Sequence, residues 1–133
     1  MGDERIRLLD LDAPELAQTC TSRVGRDWPC GRDAQTLMRQ LLAAGDVTCA
    51  GTGRDQYDRI LAHCRNGASD IGAAIVLAGL AVARDGYGAE EGKARSAQRG
   101  IWAGTFTDPA EWRRANAGEP QGFTPLAWFR SLF

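Results

Sequence analysis

The sequence has one histidine, no Cys-x-x-Cys pair, no long apolar run and no excess of basic residues. Each absence closes off a class of function. A structural zinc centre usually shows closely spaced Cys and His pairs, and His63 beside Cys64 is the nearest approach to one. A spanning helix needs roughly 20 mostly apolar residues, so no membrane partner is expected. With 16 Lys and Arg against 17 Asp and Glu, the formal net charge is −1, and no global field draws in a polyanion. Any nucleic-acid contact must come from a local cluster. No internal repeat or low-complexity tract occurs, and Met-Gly-Asp-Glu-Arg at the start is not a basic and apolar leader.

What is present fits one globular domain. The 133 residues suffice for a single core, and 44% apolar with 25% charged is ordinary composition. Four cysteines, Cys20, Cys30, Cys49 and Cys64, allow three pairings. Disulfides are the favoured reading, with metal ligation or free core thiols as alternatives. Cys20 and Cys30 would close a short loop, and Cys49 and Cys64 would face each other across a hairpin. That usage implies an oxidising compartment, periplasmic or secreted.

Residues 5–11 (RIRLLDL) read as a strand ended by Asp12, Ala13 and Pro14. Residues 16–31 read as a loop. Asp33 looks like the N-cap of a helix to about Ala44, with Leu37, Met38, Leu41 and Leu42 on one face and Gly45 as its stop. Residues 47–50 and 60–64 are strand-like about a glycine-containing hairpin connection. Ser69 or Asp70 can cap a helix at 71–78, residues 80–83 suit a short strand, and 90–99 a helix with acids first and bases last. Asp108-Pro109 opens a further short helix. A Gly/Pro linker and the apolar tail FTPLAWFRSLF follow, expected to dock on the domain or on a partner subunit.

Two segments concentrate charge. In RIRLLDLDAPE, Arg7 lies within a strand, and Asp12 and Glu15 flank a proline-fixed turn; in DQYDR, Arg59 re-enters the hairpin. Phosphodiester hydrolysis needs positive groups around a phosphate that gains charge, a hard cation, and a carboxylate to position or deprotonate water. Arginine suits the phosphate because its planar fork donates two parallel hydrogen bonds and stays charged. The same residues would also make ordinary salt bridges around a turn.

RIRLLDLDAPE resembles the thermonuclease (staphylococcal-nuclease-like) signature, a strand ending in Asp-x-Pro-Glu. RDQYDRILA resembles that family's second signature around Tyr-x-Arg, and DIGAAIVLAGLAVA and EEGKARSAQRGIWAG resemble its later helices. The match covers about residues 5–113. The resemblance implies an α+β fold, an OB-type barrel with packed helices, over 1–115, with 116–133 as linker and tail. It implies a calcium-dependent nuclease acting on single-stranded DNA or RNA. Arg7 and Arg59 fall on the catalytic arginines, and Glu15 on the carboxylate that activates or positions water. Asp12 falls on a Ca2+ ligand, and Ala13 on a position that offers its backbone carbonyl. Tyr57 and Tyr87 are candidate substrate contacts, Tyr87 through stacking on a base.

This sequence departs from the family pattern in three ways. The barrel normally has two strands before that of Arg7, joined by an Asp-Gly-Asp-Thr-like segment that supplies another metal aspartate. Almost nothing precedes Arg5, so a barrel lacking those strands and that ligand is expected. The exposed edge would then be covered by the tail, by a second copy in a homodimer, or by a native segment not in this sequence. Asp58 stands where glycine is usual, and Arg84 where a groove tyrosine is common. The leading expectation is therefore a metal-dependent nuclease, weak or inactive as this chain. Its rivals are an inactive nucleic-acid-binding or protein-interaction module and a structural domain with a salt-bridge network.

Overall fold

The computed structural model describes residues 5–117. Its strands are β1 (Ile6–Leu8), β2 (Leu11–Asp12), β3 (Cys20–Thr21), β4 (Asp27–Trp28), β5 (Val47–Arg54), β6 (Ile60–Asn66), β7 (Ser69–Asp70) and β8 (Val82–Ala83). Its helices are α1 (Cys30–Ala43), α2 (Ile71–Leu77), α3 (Gly88–Ser96) and α4 (Pro109–Asn116), with a 3-10 turn at Gly100–Ala103. The class is α+β, as expected. In the main sheet β6 pairs parallel with β1 and antiparallel with β5 and β7, while β2–β8 and β3–β4 are separate ribbons. These strands are consistent with an OB-like domain, but the described residues do not close a barrel. β5 is an edge strand, mostly exposed.

The expected strand at 5–11 is broken in two. Leu9 N–H still bonds the Ala62 carbonyl at 3.0 Å, but Asp10 turns into the left-handed region at φ 69° and its carbonyl accepts from Arg84 N–H at 2.8 Å. Aspartate tolerates that conformation better than the leucines around it. The chain thereby leaves the main sheet, and Leu11 and Asp12 pair with Ala83 and Val82.

Helix α1 begins at Cys30, three residues before the expected Asp33 cap. Two constraints start it early. Cys30 is bonded to Cys20, and Gly31 N–H donates to the Gln18 carbonyl at 3.1 Å. Gly31 is needed there because a Cβ would sit 1.8 Å from the Glu15 carbonyl oxygen. The helix start is therefore pressed against the backbone of the charged turn. Elsewhere the caps agree with the sequence: Asp70 accepts from Ala73 N–H at 3.0 Å, and Asp108 from Ala110 N–H at 2.8 Å with Pro109 opening α4.

Leu8, Leu11, Met38, Ala62, Ile71, Ile75 and Val76 belong to the principal core between the main sheet, α1 and α2. A second cluster holds Cys20, Cys30, Val82 and Ile101, with Trp28, Trp102 and Phe106 against it. Both disulfides, Cys20–Cys30 and Cys49–Cys64, are formed as expected, and such bonds persist in oxidising surroundings. No described helix is long and apolar enough to cross a membrane. The apolar tail at 123–133 lies outside the described residues.

Candidate active site

The sequence places Arg7 on β1, Asp12 at the end of β2, Glu15 in the following turn and Arg59 at the mouth of β6. The fold gathers all four into one electrostatic neighbourhood. Arg7 Nη2 lies 3.5 Å from Asp12 Oδ1, and Arg7 and Glu15 each feel the charges of Asp12, Arg59 and Arg113. Burial pulls the Arg7 pKa below the ordinary guanidinium value, and Asp12 opposes it. Burial likewise raises Glu15 above the usual carboxylate range, with Arg113 the main opposing charge. A carboxyl with a raised pKa is the stronger base.

Glu15 is held by its backbone. Its N–H donates to Gln18 Oε1 at 3.1 Å, and its carbonyl accepts from Gln18 N–H at 2.8 Å. Gln18 is itself buried, and its Nε2 donates to the Thr107 carbonyl at 2.7 Å. One amide side chain thus ties the turn to the segment that leads into α4.

Arg59 is buried, and Asp55 orients it. Asp55 Oδ2 accepts from Arg59 Nε at 2.8 Å, and Oδ1 accepts from the backbone N–H groups of Arg59 and Tyr57, both at 2.9 Å. Burial pushes the Asp55 pKa up, but these hydrogen bonds outweigh it and the net direction is down. Tyr57 is exposed, its ring centroid 5.5 Å from the Arg59 guanidinium carbon. Asp58 takes the left-handed conformation that glycine favours, at φ 62°, and directs its carboxylate to Arg54 at 3.4 Å.

Tyr87 is half-buried between His63 of β6 and the start of α2. Its hydroxyl donates to Asp70 at 2.9 Å, its ring meets His63 edge-on with centroids 6.3 Å apart, and a Cβ on Gly72 would touch it. Burial and Asp70 raise its pKa. His63 Nε2 lies 2.9 Å from Asp10 Oδ2, which ties the Asp10 turn to β6.

Two arginines join the cluster that the sequence reading did not assign to it. Arg113 on α4 donates from Nη1 and Nη2 to the two oxygens of Asp12, both at 2.9 Å, and lies 3.7 Å from Glu15 Oε1. Its hydrogen bonds to Asp12 raise its pKa against the effect of burial. Arg84 lies 3.6 Å from Asp12 Oδ2 and donates from Nη2 to both carboxylate oxygens of Asp108, each at 2.7 Å. The Arg84–Asp12 and Arg84–Asp108 contacts connect β8 to the site and to the cap of α4. Arg84 was legible only as a departure from the family pattern, and Arg113 reads locally as a basic residue ending a helix.

The donor set does not fit a hard divalent cation as it stands. Calcium takes six to eight oxygens. Asp12 and Ala13 are buried, both Asp12 oxygens accept from Arg113, and no group of three or more acidic, His or Cys side chains among the described residues could hold a metal.

The chain is 34% identical over 109 residues to the succinoglycan biosynthesis protein ExoI of Rhizobium meliloti (strain 1021), an alignment covering 77% of this chain and 57% of that relative. The family model described as Staphylococcal nuclease homologue matches residues 5–104, which carry Arg7, Asp12, Glu15 and Arg59. The chain belongs to the staphylococcal nuclease homologue family.

Proposed function

We propose that the chain is a nuclease-type hydrolase that cleaves phosphodiester bonds in single-stranded DNA or RNA at the Arg7, Asp12, Glu15, Arg59 cluster. The observation that supports this most is that Arg7, half-buried on β1, and Arg59, buried just before β6, both act on the charge of a buried carboxyl, Glu15, whose pKa burial raises. In this reading Arg7 and Arg59 grip the phosphate, and Arg59 stabilises the leaving alkoxide. Glu15 takes the proton of the attacking water as the phosphorus–oxygen bond breaks. Tyr57, exposed beside Arg59, is placed to meet the strand next to the scissile phosphate. No step is derived through calcium, because Arg113 holds the carboxylate that would ligate it. The two disulfides favour a periplasmic or secreted setting.

The test is cleavage of labelled single-stranded DNA and RNA, with calcium and with chelator. Loss of cleavage in Arg59→Ala and in Glu15→Gln, both still folded, is the expected result. Unchanged cleavage in either would overturn the site assignment. The engaged Asp12 favours a second reading, a domain that binds strands without cutting them. It requires salt-sensitive affinity for single strands and no product under either condition. Succinoglycan biosynthesis, named for the relative, finds no side-chain observation that favours it over a phosphodiester.

A further inference from the structure

A buried amide must satisfy its acceptor and its donors inside the protein, out of reach of bulk water. Gln18 is 1% exposed, the most enclosed polar side chain among the described residues, and it finds its partners on two separate segments. Its Oε1 accepts from Glu15 N–H at 3.1 Å, while its Nε2 donates to the carbonyl of Thr107, 89 residues further along the chain, at 2.7 Å. Gln18 N–H also donates to the Glu15 carbonyl at 2.8 Å, so both backbone polar groups of Glu15 are fixed by one residue. The far end of the amide matters as much. Thr107 immediately precedes Asp108, the cap of α4, and α4 carries Arg113, whose Nη1 lies 3.7 Å from Glu15 Oε1. Within α4 only Pro109 is buried, so the helix brings few apolar anchors of its own and its placement depends on contacts at its base. Those include the Arg84–Asp108 ion pair and the Gln18–Thr107 bond.

We propose that Gln18 is a positioning residue for the hydrolysis, a two-ended spacer that fixes the Glu15 turn against the base of α4 and so sets where Arg113 stands relative to the Glu15 carboxylate. This rests on the hydrolase reading for the part Glu15 plays. A carboxylate that takes a proton from water must be held within hydrogen-bond reach of that water, and a guanidinium 3.7 Å away biases which way it turns. The span needs an acceptor and a donor at the end of one side chain of this length. Asparagine is one methylene too short, and methionine has the length but no donor.

Two measurements on the whole chain test it. In cleavage of labelled single-stranded DNA, Gln18→Met should lower kcat about tenfold or more and leave KM nearly unchanged, because Arg7 and Arg59 lie on neither tethered segment. The second is a double-mutant cycle on stability, read as denaturation midpoints at constant slope and independent of nuclease activity. If Gln18 sets the stance of Arg113, Arg113→Gln should lower the midpoint of the Gln18→Met protein by about half, or less, of what it takes from the unsubstituted chain. Additive losses in the cycle overturn the proposal. So does a Gln18→Met protein whose kcat is unchanged, or whose loss is confined to KM, when the unsubstituted chain cuts. Either result would mark Gln18 as a clamp on its own turn alone. If Gln18→Met does not fold, Gln18→Asn takes its place under the same criteria. If the unsubstituted chain cuts no strand, the hydrolase reading falls, and the cycle alone decides whether Gln18 positions Arg113.

Discussion

Replacing Gly31 with alanine probes the site from a residue that does not touch it through a side chain. The added Cβ would lie 1.8 Å from the Glu15 carbonyl oxygen, 2.7 Å from the Glu15 carbonyl carbon and 2.8 Å from the Leu16 carbonyl oxygen. Real Cβ contacts essentially never fall below 3.0 Å, so the turn must retreat from α1 by at least 1.2 Å, the difference from 1.8 Å. Both sides resist. The helix start is bonded through Cys30 to Cys20, and the turn is clamped by Gln18. Overpacking of this kind costs about 1–3 kcal/mol, which in a domain of this size lowers the melting temperature by roughly 4 °C per kcal/mol. The same displacement carries Glu15 out of register with Arg59, and a misplacement near 1 Å costs on the order of 100-fold in rate. The measurements are a thermal melt and single-turnover cleavage of single-stranded DNA. Gly92→Ala, in an exposed stretch of α3 with nothing within 4 Å of its Cβ, is the control and should be neutral or stabilising. A Gly31→Ala protein that melts and cuts like the unsubstituted chain would refute the reasoning.

Glu15→Gln should abolish cleavage yet stabilise the fold at neutral pH. Because the folded pKa of Glu15 is raised, its contribution is fully present below the unfolded value and is lost as pH rises through the folded one. The stability gap in favour of glutamine should therefore open with rising pH in paired denaturant titrations. Asp55→Asn should weaken cleavage by freeing Arg59 Nε, and cost about 1–2 kcal/mol above pH 5. With the folded pKa of Asp55 lowered, that cost should shrink as pH falls through it, and a cost independent of pH would contradict the pairing. Removing Cys49–Cys64, which closes a separation of 15 residues, should cost ~3 kcal/mol, read as a shift in the denaturation midpoint at constant slope. A midpoint left in place would argue against that bridge.

The parts of the site legible in the sequence are those encoded locally. Arg7, Asp12 and Glu15 fall within one short segment and Arg59 ends a hairpin connection, so their charge marks them locally, while the resemblance to the two family signatures, not spacing, suggests their roles. Asp70 and Asp108 were readable as caps because a cap acts within three residues of itself. The cysteine pairs followed from a short loop and a hairpin. The break at Asp10 was hidden, since RIRLLDL has the composition of one uninterrupted strand and only the pairing of Leu11 with Ala83 reveals two. Arg113 was hidden more deeply, because its partner is 101 residues away and long-range pairing leaves no periodicity. Gln18 and Gly31 were hidden for a related reason: each acts through backbone atoms of the turn, which any residue type supplies.

The charges around the site are matched in number, which bears on how a chain of net charge −1 would handle a polyanion. Arg59 is paired with Asp55 and Arg84 with Asp108, while Arg7 and Arg113 share Asp12 and Glu15. Four guanidinium groups thus stand against four carboxylates, and the cluster at rest projects little net field. Long-range steering therefore contributes little, and binding must proceed by exchange of partners at short range. A phosphate that arrives between Arg7 and Arg59 competes with Asp12 and Asp55 for donors already engaged. Of the four guanidinium groups, those of Arg84 and Arg113 are the more open to water and those of Arg7 and Arg59 the less.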